Sequence, residues 1–337
     1  MTTYKGINGF AVQSVGSDPS PLDEGQVWYN NATYAFKVAS VTTTGAWASG
    51  GNLNTGRFNI GGAGTQTATL AFGGDNGPGA APQSATESYN GSSWTSVSPL
   101  NTSRDDPAGT GSQTAAVAFG GNTAPTYAGL TATEKWNGTS WASNPTGLNT
   151  ARSGLASAGT QTAALAFGGD LYPAVPANRA TNATESFNGS SWTTVNSLNN
   201  VGYALAGVGL QTAALRIGGY RENPTVFLNN TESYNGTSWT NLATMNTARF
   251  KAASFGTQTA AIAAGGYTGA NSNAVESWNG SAWTNTTSLT TANNRAGSSV
   301  NGTQTAGLTM GGTNPGSYNA TEEWTGQALQ TKTLTVS

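Results

Sequence analysis

An apolar segment that ends in two adjacent glycines occurs six times along the chain, at intervals of 46 to 50 residues. The copies are ATLAFGG at 68–74, AAVAFGG at 115–121, AALAFGG at 163–169, AALRIGG at 213–219, AAIAAGG at 260–266 and AGLTMGG at 306–312. Self-similarity at such a period indicates one unit of supersecondary structure whose copies bury their apolar faces against each other. The repeat therefore predicts the fold of nearly the whole chain.

The first five repeats also carry an Asn-Gly pair between two β-prone segments, and a connector segment precedes each repeat. The pairs lie in ESYNGSSW at 87–94, EKWNGTSW at 134–141, ESFNGSSW at 185–192, ESYNGTSW at 232–239 and ESWNGSAW at 276–283. Asn-Gly in this setting predicts a tight hairpin turn in which both residues adopt positive φ. The connectors are LNTGR at 53–57, LNTSR at 100–104, LNTAR at 148–152 and MNTAR at 245–249, with degenerate versions at 198–202 and 289–295.

These marks predict four short strands in each repeat, which we name A to D. Strand A follows the connector, as at 155–159, and a turn containing Gly-Thr leads to strand B, which ends at the glycine pair. Strands C and D form the Asn-Gly hairpin. Strand B is apolar almost without interruption, which is typical of a strand covered on both faces. No segment keeps an apolar period of 3.6 residues, so we predict an all-β protein.

The sixth repeat lacks its strand D, because no tryptophan follows Trp324 at the expected distance. The segment GAWASGGNLNT at 45–55 has the sequence of a strand D and its connector, although it precedes the first complete repeat. We therefore predict that Trp47 completes the sixth sheet, since an open ring leaves an exposed sheet edge. The strand-D tryptophans, which we interpret as packing residues, are Trp47, Trp94, Trp141, Trp192, Trp239 and Trp283.

The paired glycines, the aromatic residue on strand C, the tryptophan on strand D and the connector arginine resemble the kelch repeat. The resemblance covers residues 45–325 and implies a six-bladed β-propeller with four-stranded antiparallel blades, closed by the N-terminal strand around Trp47. A small N-terminal extension, 1–44, contains a predicted hairpin of strands 27–29 and 34–38. A β-prone tail, 326–337, follows the repeats. If the hairpin pairs with the tail or with a neighbour, a seventh partial blade is the alternative.

The amino-acid sequence of the repeat is also similar to that of kelch-like proteins of tailed bacteriophages, especially marine ones. GQVWYNN at 25–31 is similar to a hairpin of phage virion and tail-fibre proteins. These resemblances imply a non-enzymatic structural protein of the virion, tail- or fibre-associated, which is assembled in the host cytoplasm and released by lysis. Its expected partners are other virion proteins, in a homo- or hetero-oligomeric assembly, and a host-surface glycan or protein. A free carbohydrate-binding lectin and a capsid decoration protein are the alternatives.

Residues 1–44 and 326–337 are the expected assembly segments of such a protein. Both are β-prone, and segments of this kind add a strand to the edge of a neighbour's sheet. Packing of both segments on the chain's own repeats is an equally open alternative.

Composition excludes several kinds of function. With 13 Lys and Arg against 15 Asp and Glu, the net charge is −2, which argues against nucleic acid as a partner, and no apolar stretch is long enough for membrane insertion. The chain has no Cys and no His, so thiol chemistry, a Ser-His-Asp triad and the copper site of galactose oxidase, an enzyme of the kelch class, cannot form. We predict no catalytic residue, no metal and no cofactor.

The carboxylates follow the repeat and therefore predict a structural role. One glutamate opens each strand C: Glu87, Glu134, Glu185, Glu232, Glu276 and Glu322. We predict that each pairs with backbone donors or with a connector arginine, whereas a glycosidase needs two carboxylates facing one cleft. The recurrent Thr-Gln-Thr of the A–B turns predicts side chains that satisfy the turn backbone, with a polar ring around a channel mouth as the alternative.

Binding specificity is expected from the loops between strands B and C, which differ from repeat to repeat. They span 75–84, 122–130, 170–181, 220–230, 267–273 and 313–319 and are predicted to emerge on one face. The candidate ligand- or partner-binding residues are Tyr127, Tyr172, Tyr220, Arg221, Glu222, Phe227, Tyr267 and Tyr318. Tyrosine and arginine on projecting loops suit contacts with glycans or proteins. Loops that merely pack on each other are the alternative.

Overall fold

The computed structural model describes residues 4–5, 11–20, 25–41, 45–77, 81–173, 179–314, 316, 318–327 and 329–334. The chain divides into two compact units, one formed by 1–46 with 325–337 and the other by 47–324. All regular secondary structure in the described residues is β. No helix of the length and apolarity needed to cross a bilayer occurs among them.

Six four-stranded antiparallel sheets, numbered here in chain order, contain the six repeats. Sheets 1 to 3 consist of Gly61–Thr65, Ala68–Phe72, Thr86–Tyr89 and Trp94–Val97; Ala108–Ser112, Ala115–Phe119, Thr133–Trp136 and Trp141–Ser143; and Ala156–Thr160, Ala163–Phe167, Thr184–Phe187 and Trp192–Val195. Sheets 4 to 6 consist of Ala206–Leu210, Ala213–Glu222, Thr225–Tyr234 and Trp239–Asn241; Ala253–Gly256, Ala261–Ala264, Val275–Trp278 and Trp283–Thr286; and Gly297–Ser298, Ala306–Met310, Thr321–Thr325 and Ala46–Ser49. The order in every sheet is A-B-C-D.

Sheet 6 combines segments from opposite ends of the repeat region. Its strand D is Ala46–Ser49, which lies beside strand C, Thr321–Thr325. The rings of Trp47 and Trp324 are 5.2 Å apart. This is the pairing that the sequence predicts for Trp47.

Apolar residues are buried between neighbouring sheets, in six separate clusters. Five of these clusters each combine side chains from two sheets with consecutive numbers. The remaining cluster joins the last sheet to the first, since Leu308 and Met310 of sheet 6 pack with Ile60 and Tyr89 of the first repeat. Burial of apolar surface stabilises the folded state by about 25 cal/mol per Å². The six clusters therefore explain how a chain rich in Thr, Ser and Asn forms a core.

The A strands lie close together because glycine recurs in them. A Cβ on Gly62 would lie 2.1 Å from the carbonyl oxygen of Ser298 in the A strand of sheet 6. A Cβ on Gly109 would lie 2.2 Å from the ring of Phe72 in sheet 1. Side chains at these positions would force neighbouring sheets apart.

The predicted Asn-Gly turn is wrong in its geometry. Strands C and D are joined by four residues, as in Asn90–Ser93, and only the glycine has positive φ. The asparagine Oδ1 instead accepts the N–H groups of the residues two and three positions later, here Ser92 and Ser93. The same pair of hydrogen bonds occurs at Asn137, Asn188, Asn235 and Asn279. The asparagine side chain therefore satisfies the turn backbone.

Two of the predicted B–C loops contain strands. In sheet 4, strands B and C continue past the glycine pair to Glu222 and Thr225, so most of 220–230 is a β-hairpin with a bulge between Ile217 and Gly219. In the second repeat, Asn122–Thr123 pairs with Ala128–Gly129. The other B–C segments have no strand pairing of this kind among their described residues.

The unit formed by 1–46 with 325–337 contains a five-stranded sheet among its described residues. Its order is Tyr4–Lys5, Ala11–Val15, Val27–Asn30, Ala35–Val41 and Leu329–Thr333. The predicted hairpin is confirmed, and it pairs with the C-terminal tail. Ala11–Val15 and Val27–Asn30 are parallel, which distinguishes this sheet from the six repeated ones and argues against a seventh copy.

An interaction network around Asp18 holds this unit together. The carboxylate accepts hydrogen bonds from Trp28 Nε1 at 3.1 Å and Asn30 Nδ2 at 2.6 Å and forms an ion pair with Lys37 at 3.0 Å. The hydrogen bond from Asn30 and then that from Lys37 lower the pKa of Asp18.

Candidate ligand-binding face

Buried ion pairs fix the connectors to the C strands. Arg57 Nη2 lies 2.8 Å from Glu87 Oε1, and the same pair recurs as Arg104–Glu134, Arg152–Glu185 and Arg249–Glu276. Each glutamate, including Glu322, also accepts a backbone N–H from the connector. Burial lowers the pKa of the paired arginines. The predicted pairing of glutamate with arginine and backbone is confirmed.

Repeats four and six replace the connector arginine in two different ways. Gly202 stands at the arginine position of repeat four, and Arg216 from strand B lies over it, 3.9 Å from Glu232. Burial lowers the pKa of Arg216 to about 10. In repeat six Asn293 donates to the carbonyl oxygen of Gly311 at 2.6 Å. The same carbonyl position accepts a hydrogen bond from Arg57 in the first repeat.

The glutamines of the A–B turns join neighbouring sheets. Gln66 Nε2 donates to the carbonyl oxygen of Trp324 in sheet 6 at 2.8 Å. The equivalent bonds from Gln113, Gln161, Gln211, Gln258 and Gln304 reach strand C of the preceding sheet. The prediction that the turn side chains satisfy their own turn was wrong for the glutamines, since each Nε2 donates to a main-chain carbonyl oxygen of a neighbouring sheet.

A circle of backbone hydrogen bonds lies at the start of the A strands. One residue per repeat, two positions after the connector arginine or its equivalent, has positive φ: Asn59, Asp106, Gly154, Ala204, Lys251 and Arg295. The N–H of each donates to the carbonyl oxygen of its equivalent in the preceding repeat, and Asn59 donates to Arg295, at 2.7 to 3.2 Å. The left-handed conformation aims N–H and C=O toward opposite neighbours, which explains its presence in every repeat.

A cavity of about 100 Å³ is lined by this circle and by the A strands of all six sheets. Lys251 spans its mouth, where Nζ donates to Asn59 Oδ1 at 3.0 Å and forms an ion pair with Asp106. At the other end Asn301 accepts the N–H of Gly111 and donates to the carbonyl oxygen of Gly159. The cavity is crossed by side chains at both ends, so we do not take it as the ligand site.

Asp105 lies buried beside the mouth of this cavity. Its Oδ2 accepts a hydrogen bond from Asn59 at 3.1 Å, whereas Oδ1 is buried without a partner among the described residues. Burial and then the charge of Asp106 raise the pKa of Asp105 to about 7, against the opposing effect of Lys251. The carboxylate therefore weakens the folded state when it is ionised.

We expect Asp105→Asn to stabilise the protein at pH 8 and to have little effect at pH 4. The folded state binds this proton more tightly than the unfolded state, so wild-type stability falls between the unfolded pKa of 3.8 and the folded pKa of about 7. Thermal denaturation should show Tm raised by at least about 2 °C at pH 8, the shift for about 1 kcal/mol in a large domain. An equal shift at both pH values would contradict the assignment to Asp105.

Side chains that do not repeat gather around the B–C segments of repeats four and five. Tyr203, Tyr220, Phe227, Phe250 and Tyr267 form a continuous aromatic cluster with ring centroids 5.2 to 6.0 Å apart. Burial and a hydrogen bond with Glu222 raise the pKa of Tyr203, so its hydroxyl stays protonated. These rings pack on each other, which matches the alternative weighed for the loops.

A pocket of about 290 Å³ lies between the B–C segments of repeats two and three. It is lined by Asn122, Tyr127, Ser153, Asp170, Tyr172 and Arg179. Arg179 forms a bidentate ion pair with Asp170 and lies over the Tyr172 ring, 4.8 Å from its centroid. The pocket thus offers both aromatic surface and polar groups.

The structure places the eight candidate binding residues in four different locations. Tyr127 and Tyr172 lie together in the pocket, and Tyr220, Phe227 and Tyr267 lie in the aromatic cluster. The other three candidates are Arg221, Glu222 and Tyr318. Arg221 and Glu222 lie at the end of strand B in sheet 4, with Glu222 3.7 Å from Arg179. Tyr318 lies apart, and its backbone carbonyl accepts the N–H of Arg57.

Sequence reasoning missed the polar half of the pocket. Asn122 and Asp170 directly follow their glycine pairs, and Ser153 directly follows a connector arginine. In the structure the residues at these two positions pair through backbone bonds, as Ser153 does with Asp170. The residue type at these two positions differs from repeat to repeat, and this variation was the signal that could have revealed Asn122, Asp170 and Ser153.

The predicted strand-D tryptophans are placed as follows. Trp94, Trp141, Trp192, Trp239 and Trp283 are buried, whereas Trp47 is half-buried. Each of the five donates from Nε1 to a threonine hydroxyl on strand C of the preceding sheet, and Trp94 thereby binds Thr321 of sheet 6.

Comparison with protein-family models found no match to this chain, and comparison with curated proteins found no similar sequence. Among the described residues no three acidic side chains lie close enough together to hold a metal ion.

Proposed function

We propose that the six repeated sheets form a six-bladed β-propeller of the kelch type, closed by the strand around Trp47. The closed circle of six backbone hydrogen bonds supports this architecture most directly. The hydrogen bond from Trp94 to Thr321 and the one from Gln66 to Trp324 support closure between the first and sixth blades. Closure gives strand C of the sixth sheet a strand D and leaves only short edge strands in the ring.

We further propose that the protein is a non-enzymatic structural protein that presents its B–C loops to a surface or partner. One observation carries the proposal. The side chains that recur in every repeat form bonds inside the fold, whereas the side chains that differ between repeats lie together on the loops. The six repeated glutamates all bind connectors. The varied tyrosines, arginines and acids line a pocket and an aromatic cluster, as expected for a scaffold that carries binding loops.

The biological setting that we propose is a phage virion, with the protein associated with the tail or its fibres. The similarity of the repeat to phage kelch-like proteins motivates this setting. Leu329–Thr333 pairs with Ala35–Val41, and no strand among the described residues pairs with its other side. A free strand edge of this kind suits addition of a strand from another virion protein.

Mass spectrometry of density-banded phage particles tests the virion proposal. We expect peptides of this chain to band with the major capsid and tail proteins, at several copies per particle. Tail-less particles separated from the same preparation serve as the matched control, since a tail protein should be depleted from them. Retention on tail-less heads would favour a capsid decoration protein. Recovery of the chain only in the unbanded soluble fraction would contradict a virion role and favour a free lectin.

A further inference from the structure

We propose that the pocket between repeats two and three binds one neutral hexopyranose residue of a surface glycan. This inference rests on the proposed role of the loop face in surface binding and names its ligand class. At about 290 Å³ the pocket is just below the range of roughly 300 to 1,000 Å³ typical of drug-sized ligands. It therefore matches a single sugar ring rather than a larger molecule.

Two tyrosines supply the apolar contact that a pyranose needs. Tyr127 and Tyr172 line the pocket and are 40% and 41% exposed, which is unusual among the large hydrophobic residues of this unit. Tyrosine combines a broad apolar ring with a polar hydroxyl and loses little side-chain entropy on binding. The C–H face of a pyranose can lie on such a ring while its hydroxyl groups reach polar neighbours.

Asn122 supplies a polar group that lacks a partner. Its side chain is more than nine-tenths buried and lines the pocket, and Oδ1 forms no hydrogen bond among the described residues. A buried acceptor without a donor costs about 1–3 kcal/mol in a protein interior. Oδ1 is closed to solvent, so a ligand hydroxyl reaches it only when the Asn122 side chain turns toward the pocket. Ser153 and Asp170 line the same pocket and offer further hydrogen-bonding groups.

The charges in the pocket favour a neutral sugar over an acidic one. Arg179 donates to Asp170 from Nε and Nη2, and Glu222 Oε1 lies 3.7 Å from Arg179 Nε. One arginine thus faces two carboxylates. A sialic or uronic acid would bring a third negative charge to this arginine, which costs affinity.

The walls of the pocket are held by backbone bonds before any ligand arrives. Gly129 N–H of the second repeat donates to the carbonyl oxygen of Tyr172 in the third repeat at 3.0 Å. Tyr172 N–H donates to Asp170 Oδ1 at 3.0 Å, and the Leu171 N–H donates to the carbonyl oxygen of Arg179 at 2.9 Å. A fixed pocket of this kind reduces the entropy lost on binding.

Saturation-transfer NMR and titration of the full chain with methyl hexosides test the proposal. The probes are the methyl glycosides of glucose, galactose, mannose and N-acetylglucosamine, with N-acetylneuraminic acid and glucuronic acid as acidic counterparts. We expect at least one neutral hexoside to bind with a Kd of about 1 mM, the affinity typical of a ligand of this size. The acidic sugars should bind at least about tenfold more weakly.

Variants separate this pocket from other surfaces. Tyr172→Ala should weaken binding at least about tenfold and Tyr172→Phe by less than about threefold, since the ring is retained. Tyr34→Ala, at a tyrosine that is 81% exposed and outside the pocket, should leave the Kd unchanged. Equal binding by wild type and Tyr172→Ala would overturn the proposal, as would binding of no hexoside at about ten times the expected Kd.

The result is independent of the particle experiment. A chain that bands with virions but binds no hexoside, or that instead captures a host-surface protein through Tyr172, would overturn the ligand class and leave the virion role intact. A chain that binds hexosides through Tyr172 but is absent from particles would support this inference and contradict the virion role.

Discussion

We expect Arg104→Met to destabilise the protein by about 3–5 kcal/mol, the loss typical when one partner of a buried ion pair is removed. Arg104 is fully buried and its Nη2 contacts Glu134. Its Nη1 also donates to the carbonyl oxygens of Gly120 and Ala132 at 3.0 and 2.9 Å. Removal of the guanidinium leaves a buried carboxylate and two carbonyl groups without these partners, whereas methionine keeps most of the apolar stem. Urea denaturation followed by tryptophan fluorescence measures the free energy of unfolding.

Arg216→Met is the matched control, because Arg216 faces the equivalent glutamate with poorer geometry. Its Nη1 lies 3.9 Å from Glu232, and none of its three guanidinium nitrogens has a hydrogen-bond partner among the described residues. We expect its loss of stability to be at least about 1.5 kcal/mol smaller than that of Arg104→Met, because hydrogen bonds to charged groups contribute about 1.5–3 kcal/mol each. Equal losses in the two variants would mean that burial alone, and not bonding geometry, determines the effect.

The repeated part of the fold could be predicted from sequence because each element has its own local signal. The apolar run marks strand B, the glycine pair marks its end, and the tryptophan marks the start of strand D. Even the displaced strand was predictable, since the residues around Trp47 keep the pattern of a strand D and its connector. The type of the Asn-Gly turn was not predictable in this way. The same Asn-Gly sequence is compatible with a two-residue turn and with a four-residue turn. Which of the two forms depends on whether the asparagine side chain accepts hydrogen bonds from the turn backbone.

The interactions between repeats were harder to predict because they depend on register across two sheets. The glutamine of each A–B turn binds strand C of the preceding sheet, and nothing in Thr-Gln-Thr itself specifies that partner. The substitution of Arg216 for a connector arginine at position 202 could be recognised only once strand B was placed beside the connector. The tyrosines of the pocket were predicted from residue type. Their partner Arg179 was not, because it lies nine positions after Asp170 in the sequence and no motif links the two.

A second large effect is expected at the strand-D tryptophans, where Trp141→Ala should cost about 3–5 kcal/mol, as is typical of a buried aromatic residue replaced by alanine. Trp141 is 5% exposed and packs against Trp136 and against Phe72 of the preceding sheet at 5.1 Å. Its Nε1 donates to Thr86 Oγ1 at 3.0 Å. Trp141→Phe should recover most of the packing and lose chiefly this hydrogen bond, at about 1 kcal/mol.

Trp47→Ala should lower the free energy of unfolding clearly less than Trp141→Ala, because strand C of the fifth sheet has no threonine at the accepting position. The residue that would accept its indole N–H on the preceding strand C is Val275, which has no hydroxyl, so Trp47 donates to the carbonyl oxygen of Thr287 and stays half-buried. Its ring still packs against Trp324 and against Phe255, at 5.2 and 6.2 Å. We therefore expect a loss of about 1–3 kcal/mol, in the range for partial loss of a buried side chain. A value near zero in urea denaturation would contradict the place of this strand in sheet 6, and with it the closure that we propose for the ring.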